Sequence, residues 1–491
     1  MKRSHSQLAA ISLLALLAAM AQASSRPRYG GSVRIALQHK VNTVDPAAEE
    51  DYPAARDRVA SLLFETLTSV DEEGRVHPQL ATTWHADPTK RIWRFRLRLA
   101  NFHDGSALTT ADAVASLNQP GVPWRCSAAD RQTISVEAFA PLPHLPEMLA
   151  LEKFAIVKRQ PDGSLPGTGP YKLSEWQPGE RALLVANPDY WGGRPYPDTV
   201  EFLMGASLRE PLLEHNLGQL SAAEISVDQS RSLDQTGQNI ARSSAADLLV
   251  ILFLQSDTAP KPGVPGAPGV GALGWKPGKK PVDPRLREAL AASLDRATIN
   301  NALLLKKGAP ASSLLPQWLT GYEFLLPAVH DCDRARKLVR GMVMPSAPIT
   351  LAYDFSDPLA KMVAERIAVD ARECGVGISP YGELHVNTRS ARAALNADAV
   401  LVRLPLPSLE PSLALAALSA DLGSEENIAA MLSASRPEDL FELERKTLEN
   451  YRVIPVVRFS QLVWLNSNVH NWQELPGGAW GMSQLWVEGT R

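Results

Sequence analysis

The chain has 491 residues, with 50 Lys and Arg against 53 Asp and Glu and a formal charge of −3. Such a balance lacks the basic excess that bulk nucleic-acid binding requires. At roughly 150 residues per domain the length predicts two or three lobes, and the three cysteines, with no CxxC between them, signal no thiolate zinc site.

Lys2 and Arg3 precede an uncharged apolar run from Leu8 to Ala21, followed by Ala21-Gln22-Ala23. This is the order of a basic n-region, a short apolar core and an A-x-A cleavage site. The run is too short to span a bilayer as a helix. We expect a signal peptide over residues 1–23, cut after Ala23, and a periplasmic chain whose charge falls to −5 once the two basic residues are removed. No Cys follows the apolar run, so a lipoprotein is not expected.

SVRIALQ (32–38) predicts a strand. DRVASLLFETLTSV (57–70) places Val59, Leu62, Leu63, Leu67 and Val70 on one helical face. RIWRFRLRL (91–99) alternates, with Trp93, Phe95, Leu97 and Leu99 on one side and Arg94, Arg96 and Arg98 on the other. Period two means a strand with one buried face and a solvated arginine row. NFHDGSALTTADAV (101–114) sets His103 beside Asp104, a pairing that invites a metal or acid–base reading. Asp104-Gly105 is a turn dipeptide, however, and Thr109 or Thr110 can cap a helix with Asp112 in its first turn. We therefore read strand, turn and capped helix, with no chemistry.

GTGPYKLSEWQPGERALLVANPDYWGG (167–193) predicts a hairpin around Gln177-Pro178-Gly179-Glu180, and DLLVILFL (247–254) a buried strand. The run at 261–281 is dense in Pro and Gly and contains a GxGxxG from Gly269 to Gly274. A dinucleotide site needs a helix to open there. Pro277 and Pro281 follow instead, so the run reads as a loop between lobes. Asp283 and Pro284 open a helix in DPRLREALAASL. PITLAYDF (348–355), SDPLAKMVAERIAVDARECG (356–375) and GVGIS then form a strand–helix–strand unit of the parallel, right-handed kind. DAVLVRL (398–404) predicts another buried strand. Cys332 and Cys374 are expected to be buried thiols, with pairing as the alternative. The pattern is α/β, and it contains no GxSxG, HExxH, SxxK-type or Walker motif. We expect no enzyme, no metal and no cofactor.

Taken together, NTVDPA (42–47), LLFETLTSVDEEGRVHPQLATTWHAD (62–87), WRFRLRLANFHDGSALTTADAVASL (93–117), the 167–193 stretch and VDPRLREALAASLDRATI resemble the extracytoplasmic solute-binding proteins of peptide and nickel ABC importers. The resemblance implies a two-lobe periplasmic-binding-protein clamp with mixed sheets and an extra subdomain in lobe I. Lobe I would comprise 24–56, 160–256 and 462–491, its subdomain 57–159, an inter-lobe loop 257–281 and lobe II 282–461. The chain would cross between lobes near Leu254–Pro281 and near Val456–Leu465. It further implies a monomer that captures a small solute, peptide-like or other, by hinge closure and hands it to a membrane permease. The alternative is a degenerate clamp serving as a sensor, chaperone or partner-binding module.

In peptide-binding members a lobe II segment reads D-x-A-x-x-x-W-x-x-D-x-x-x-P, and its later Asp grips the ligand's ammonium. Here DAVLVRLPLPSLEP (398–411) puts Leu404 at the Trp position and Pro407 at the Asp position. Losing such an ion pair costs about 2–5 kcal/mol. The resulting ligand-binding candidates are Thr43, Arg403, Leu404, Pro407 and Glu410. The expected pocket is apolar with Arg403 as a single positive charge, suited to an anionic or neutral amphiphilic solute rather than a free peptide amine.

Overall fold

A computed structural model describes residues 27–205, 219–244, 246–255, 281–322, 325–327, 329–342, 347–475, 480–482 and 484–488. The expected signal peptide and the Pro/Gly-rich run with its GxGxxG, all but Pro281, lie outside the described residues. Two large sheets organise the rest. The first has seven strands in the order Asn239–Arg242, Leu462–Leu465, Ala222–Ile225, Ser32–Ala36, Thr199–Leu203, Arg181–Ala186 and Tyr171–Gln177. The second has six, in the order Gly308–Pro310, Val453–Phe459, Asp247–Phe253, Ala399–Leu404, Ile349–Asp354 and Ile378–Glu383. A smaller four-stranded antiparallel sheet, Ala81–Ala86, Ile92–Leu97, Thr133–Ala138 and Trp124–Ala128, forms a subdomain. The architecture is a two-lobed α/β molecule with mixed sheets.

The 247–253 strand explains its own sequence. Leu248, Val250 and Leu252 enter one buried cluster, and Leu249, Ile251 and Phe253 enter another. A strand covered on both faces reads as an unbroken apolar run. This strand lies between 453–459 and 399–404 in the six-stranded sheet, which corrects its expected place in lobe I. The first crossing therefore lies between Arg242 and Asp247, not at 254–281. The return crossing is at Ser460 and Gln461, between the 453–459 and 462–465 strands. The two crossings lie side by side: Ser243 N–H donates to the Gln461 carbonyl at 3.1 Å, and Gln461 N–H donates to Ser243 Oγ at 2.9 Å.

The helix expected over 57–70 is shorter and starts earlier, at Pro53–Leu63. Phe64 is extended, and Thr68–Val70 pairs with Val76–Pro78. The β-branched Thr66, Thr68 and Val70 favour that extended path. Leu99, expected to be buried, is 83% exposed, because the ladder ends at Leu97 and strand alternation no longer sets the side. Elsewhere local chemistry acts as expected. Thr109 and Asp112 form a capping box on Thr110–Leu117, and Asp283 and Asp357 cap Pro284–Ser293 and Pro358–Glu373. The Ile349–Asp354 and Ile378–Glu383 strands flank the last of these helices and pair in parallel.

Cys332 and Cys374 are joined in a disulfide with Cα atoms 4.7 Å apart, which corrects the expectation of two thiols. Cys332 opens the Cys332–Val339 helix and Cys374 caps the end of Pro358–Glu373, and Arg336 Nη2 donates to the Glu373 carbonyl at 2.9 Å across the same edge. Cys126 is free and buried, and burial pushes its thiol up to about 12. The bridge closes a loop of sequence separation 42. Replacing both cysteines by Ser should lower the unfolding free energy by about 2–4 kcal/mol in urea titration.

Candidate functional site

His103 and Asp104 are structural. His103 Nε2 donates to the Gly169 carbonyl at 3.1 Å while its Nδ1 accepts from Gly167 N–H at 3.3 Å, which fixes a neutral ring. Burial pushes its pKa down to about 4, against the opposing pull of the Gly169 carbonyl. Asp104 accepts from Ser106 N–H at 2.9 Å and from Lys158 Nζ at 3.0 Å. Of the arginine row, Arg94 and Arg96 are exposed, and Arg98 stacks over Trp191 at 3.3 Å. Among the described residues His330, Cys332 and Cys374 bring three ligand atoms within 4.8 Å of one another, but the two sulfurs are bonded to each other.

The polar residues that remain converge between the lobes. In each large sheet the parallel strands send their C-terminal ends toward the other lobe, the usual place for a ligand crevice. Lobe I contributes the loop after Ser32–Ala36 and the start of the 53–63 helix. Lobe II contributes the loops after Ile349–Asp354, Ile378–Glu383 and Ala399–Leu404. Tyr52 Oη donates to Asp354 Oδ2 at 2.9 Å, and His39 stacks on Tyr52 at 3.5 Å. Arg403 Nη1 donates to His39 Nε2 at 3.2 Å, so the proton of His39 sits on Nδ1. Burial, then the charges of Arg403 and Arg58, hold His39 well below the usual histidine range.

Arg403 is not a lone cation. Its Nε and Nη2 donate to Asp247 Oδ2 at 2.9 and 2.6 Å, and Nη1 lies 3.6 Å from Asp357. Burial opposes its charge, but Asp247 and Asp357 outweigh it and raise its pKa. Strand pairing sets this up. Leu249 faces Arg403 across the antiparallel ladder, so Asp247 is the diagonal neighbour on the same face. Gln461 Nε2 adds a hydrogen bond to Asp247 Oδ1 at 3.0 Å. Arg58, its side chain 1% exposed, ion-pairs with Glu224, hydrogen-bonds to Gln461 and lies 4.1 Å over the Trp480 ring. Burial lowers its pKa to about 10.

These groups line an inner cavity of about 30 Å³ that includes Tyr52, Arg58, Asp247, Arg403 and Pro405. Outside it, an open groove of about 480 Å³ runs between the lobes, with Thr43, Glu49 and Asp51 opposite His385, Thr388 and Ser390. Asp51 borders both spaces.

The sequence candidates separate accordingly. Arg403 lines the inner cavity, but its charge is met by Asp247 and Asp357, so the expected pocket with one unmatched cation is not formed. Thr43 lines the groove, and its Oγ1 accepts from Asp45 N–H at 3.0 Å. Leu404, on the opposite strand face from Arg403, is 3% exposed in the apolar core. Pro407 is half-buried and borders neither space. Glu410 accepts from Leu413 N–H at 2.9 Å as the cap of Pro411–Asp421 and sits 3.6 Å from His144. Sequence reading missed His39, Asp51, Asp247, Asp354, Asp357 and His385. The acidic run Glu49-Glu50-Asp51 before Tyr52 was the one signal available.

The fold and cleft define a two-lobe periplasmic-binding-protein clamp. Residues 75–424 match the family Bacterial extracellular solute-binding proteins, family 5 Middle, and the chain belongs to that family. It is 29% identical over 190 residues to a probable peptide ABC transporter periplasmic-binding protein of Sinorhizobium fredii, covering 34% of this chain and 35% of that one. It is 24% identical to a putative ABC transporter peptide-binding protein of Brucella ovis, covering 65% and 62%. The chain thus spans less than two thirds of the length of these curated relatives. Among solved structures, a dipeptide-binding protein from Pseudoalteromonas in complex with Met-Leu superposes with a TM-score of 0.79 at 15% identity, covering 93% of this chain and all of that one. The murein tripeptide-binding protein of Escherichia coli superposes at 0.78 with 18% identity, covering 93% and 98%.

Two outcomes are expected. Asp247→Asn should cost about 3–5 kcal/mol, because it leaves a buried guanidinium poorly compensated, as read by urea unfolding. His103 has a folded pKa of about 4 and an ordinary value of 6.5. As pH falls between those values the unfolded chain takes the proton first, so stability declines across that window and levels off below it. In a difference curve against wild type, His103→Gln should lack that slope.

Proposed function

We propose that this protein is the periplasmic solute-binding component of an ABC importer, which captures a small solute between its lobes and closes about a hinge where Ser243 and Gln461 pair. The observation that carries this reading is the pairing of two adjacent crossings with a polar cleft in front of them. Two short antiparallel segments can absorb a rotation while each large sheet stays intact. The action is binding and release to a membrane permease, with no bond made or broken. Export by the N-terminal segment without lipid attachment completes the proposal.

A second reading, a clamp of the same fold that serves as a sensor, chaperone or partner-binding module, draws on one observation. The inner cavity is about 30 Å³, far below the space of a bound peptide, and both of its arginines are met by carboxylates of the protein.

Native mass spectrometry of freshly purified protein should reveal a co-purified small solute. Removing it by unfolding and refolding should increase the radius of gyration in solution scattering, and adding it back should reverse the change and raise the melting temperature. A protein that carries no solute and keeps one radius under every condition would favour the second reading.

A further inference from the structure

We infer that Asp51 is the residue that selects the solute, and that the solute presents a primary ammonium group with no carboxylate beside it. The inference rests on the reading of the cleft as a solute site. It follows from which polar atoms in the cleft already have partners.

Three consecutive acids border the groove. Glu49 accepts from Ser390 Oγ across the cleft. Glu50 closes its own loop, accepting from the N–H groups of Asn42 at 2.9 Å, Thr43 at 3.3 Å and Asp51 at 3.2 Å. Asp51 gives Oδ2 to His385 Nδ1 of the opposite lobe. Its Oδ1 is buried without a hydrogen-bond partner among the described residues, and the side chain is 10% exposed. The other cleft carboxylates are engaged. Asp247 holds Arg403 and Gln461, Asp357 holds its helix N-terminus, Glu224 holds Arg58, and Asp354 accepts from Tyr52, Ser356 and Asn387.

A buried carboxylate oxygen without a donor is costly, and a donor that is itself a cation suits it best. The surroundings strengthen that preference. Burial raises the pKa of Asp51, the His385 contact opposes this, and the nearby charges of Asp354 and Glu50 add to the rise. A positive charge placed there offsets the repulsion from Asp354 and Glu50 and gives the buried Oδ1 a donor. Arg58 and Arg403 are turned toward protein carboxylates, and His385 is turned toward Asp51 itself, so among the described lining residues a carboxylate on the solute would meet Glu49 and Glu50 with no uncommitted cation to answer it. Size sets the orientation. The inner cavity of about 30 Å³ takes an ammonium head, and the groove of about 480 Å³ takes the body. Asp51 stands at the junction.

The test is calorimetry on solute-stripped full-length protein. The probes are 1,5-diaminopentane and an equimolar mixture of dipeptide amides, with the same mixture N-acetylated as the control. The amines should bind. N-acetylation should weaken binding by at least ~30-fold, and Asp51→Asn should do the same while keeping a wild-type unfolding midpoint. The acetylation arm uses wild-type protein, so the inference stays falsifiable if the variant misfolds. Equal binding of acetylated and free probes, unchanged binding by Asp51→Asn, or no binding of the amines at millimolar concentration would each overturn it. Lobes that close on a co-purified solute lacking an amine would overturn the role of Asp51 and leave the clamp reading standing. Lobes that never move would overturn the clamp reading itself.

Discussion

The buried pair between Arg403 and Asp247 is the contact around which the inter-lobe region is arranged. Asp247 is the first residue of the lobe II strand after the chain leaves lobe I, and its side chain is 2% exposed. Arg403 comes from the neighbouring strand, Gln461 from the return crossing, and His39 from lobe I. One carboxylate therefore ties both crossings to the core sheet of lobe II. Removing either charge leaves the other stranded at low dielectric, the expensive way to break a buried pair. The pair fixes where the lobe II sheet begins.

Contacts between the lobes change in character with distance from that point. Near the crossings they are buried and charge-assisted, as with Arg403 on His39 and Gln461 on Asp247. Farther out, Tyr52 meets Asp354 in a single buried hydrogen bond. At the rim, Glu49 meets Ser390 and Asp51 meets His385, whose side chain is 65% exposed. Exposed polar contacts of this kind are worth little individually. The polar contacts along the groove thus weaken from the crossings to the rim. A further layer of apolar contact lies between the four-stranded subdomain and lobe II, where Leu145 and Leu149 share a buried cluster with Leu406 and Leu413.

Local patterns in the sequence were reliable where one element decides its own fate. The alternation of Trp93, Phe95 and Leu97, the capping box of Thr109 and Asp112, and the cap-then-proline starts at Asp283 and Asp357 all depend on neighbours a few residues away. The family motifs, spread over most of the chain, carried the two-lobed fold. Errors came where a distant partner intervenes. The 57–70 stretch has helical periodicity, yet Thr68–Val70 finds a strand partner in Val76–Pro78. Proline and glycine density drew the first crossing to 254–281, whereas the chain changes sheets between Arg242 and Asp247.

The sequence by itself determined the α/β class, the buried strands at 247–253 and 399–404, and the absence of an ammonium-binding acid at position 407, because burial pattern and residue identity are local properties. It also placed Arg403 in the second of these strands. Only the tertiary structure decided what that arginine faces. Asp247 lies 156 residues away from it, Asp354 is 302 residues from Tyr52, and His385 is 334 residues from Asp51. Charge compensation in a cleft depends on which groups come within a few ångströms when two sheets meet, and no spacing along the chain encodes that distance.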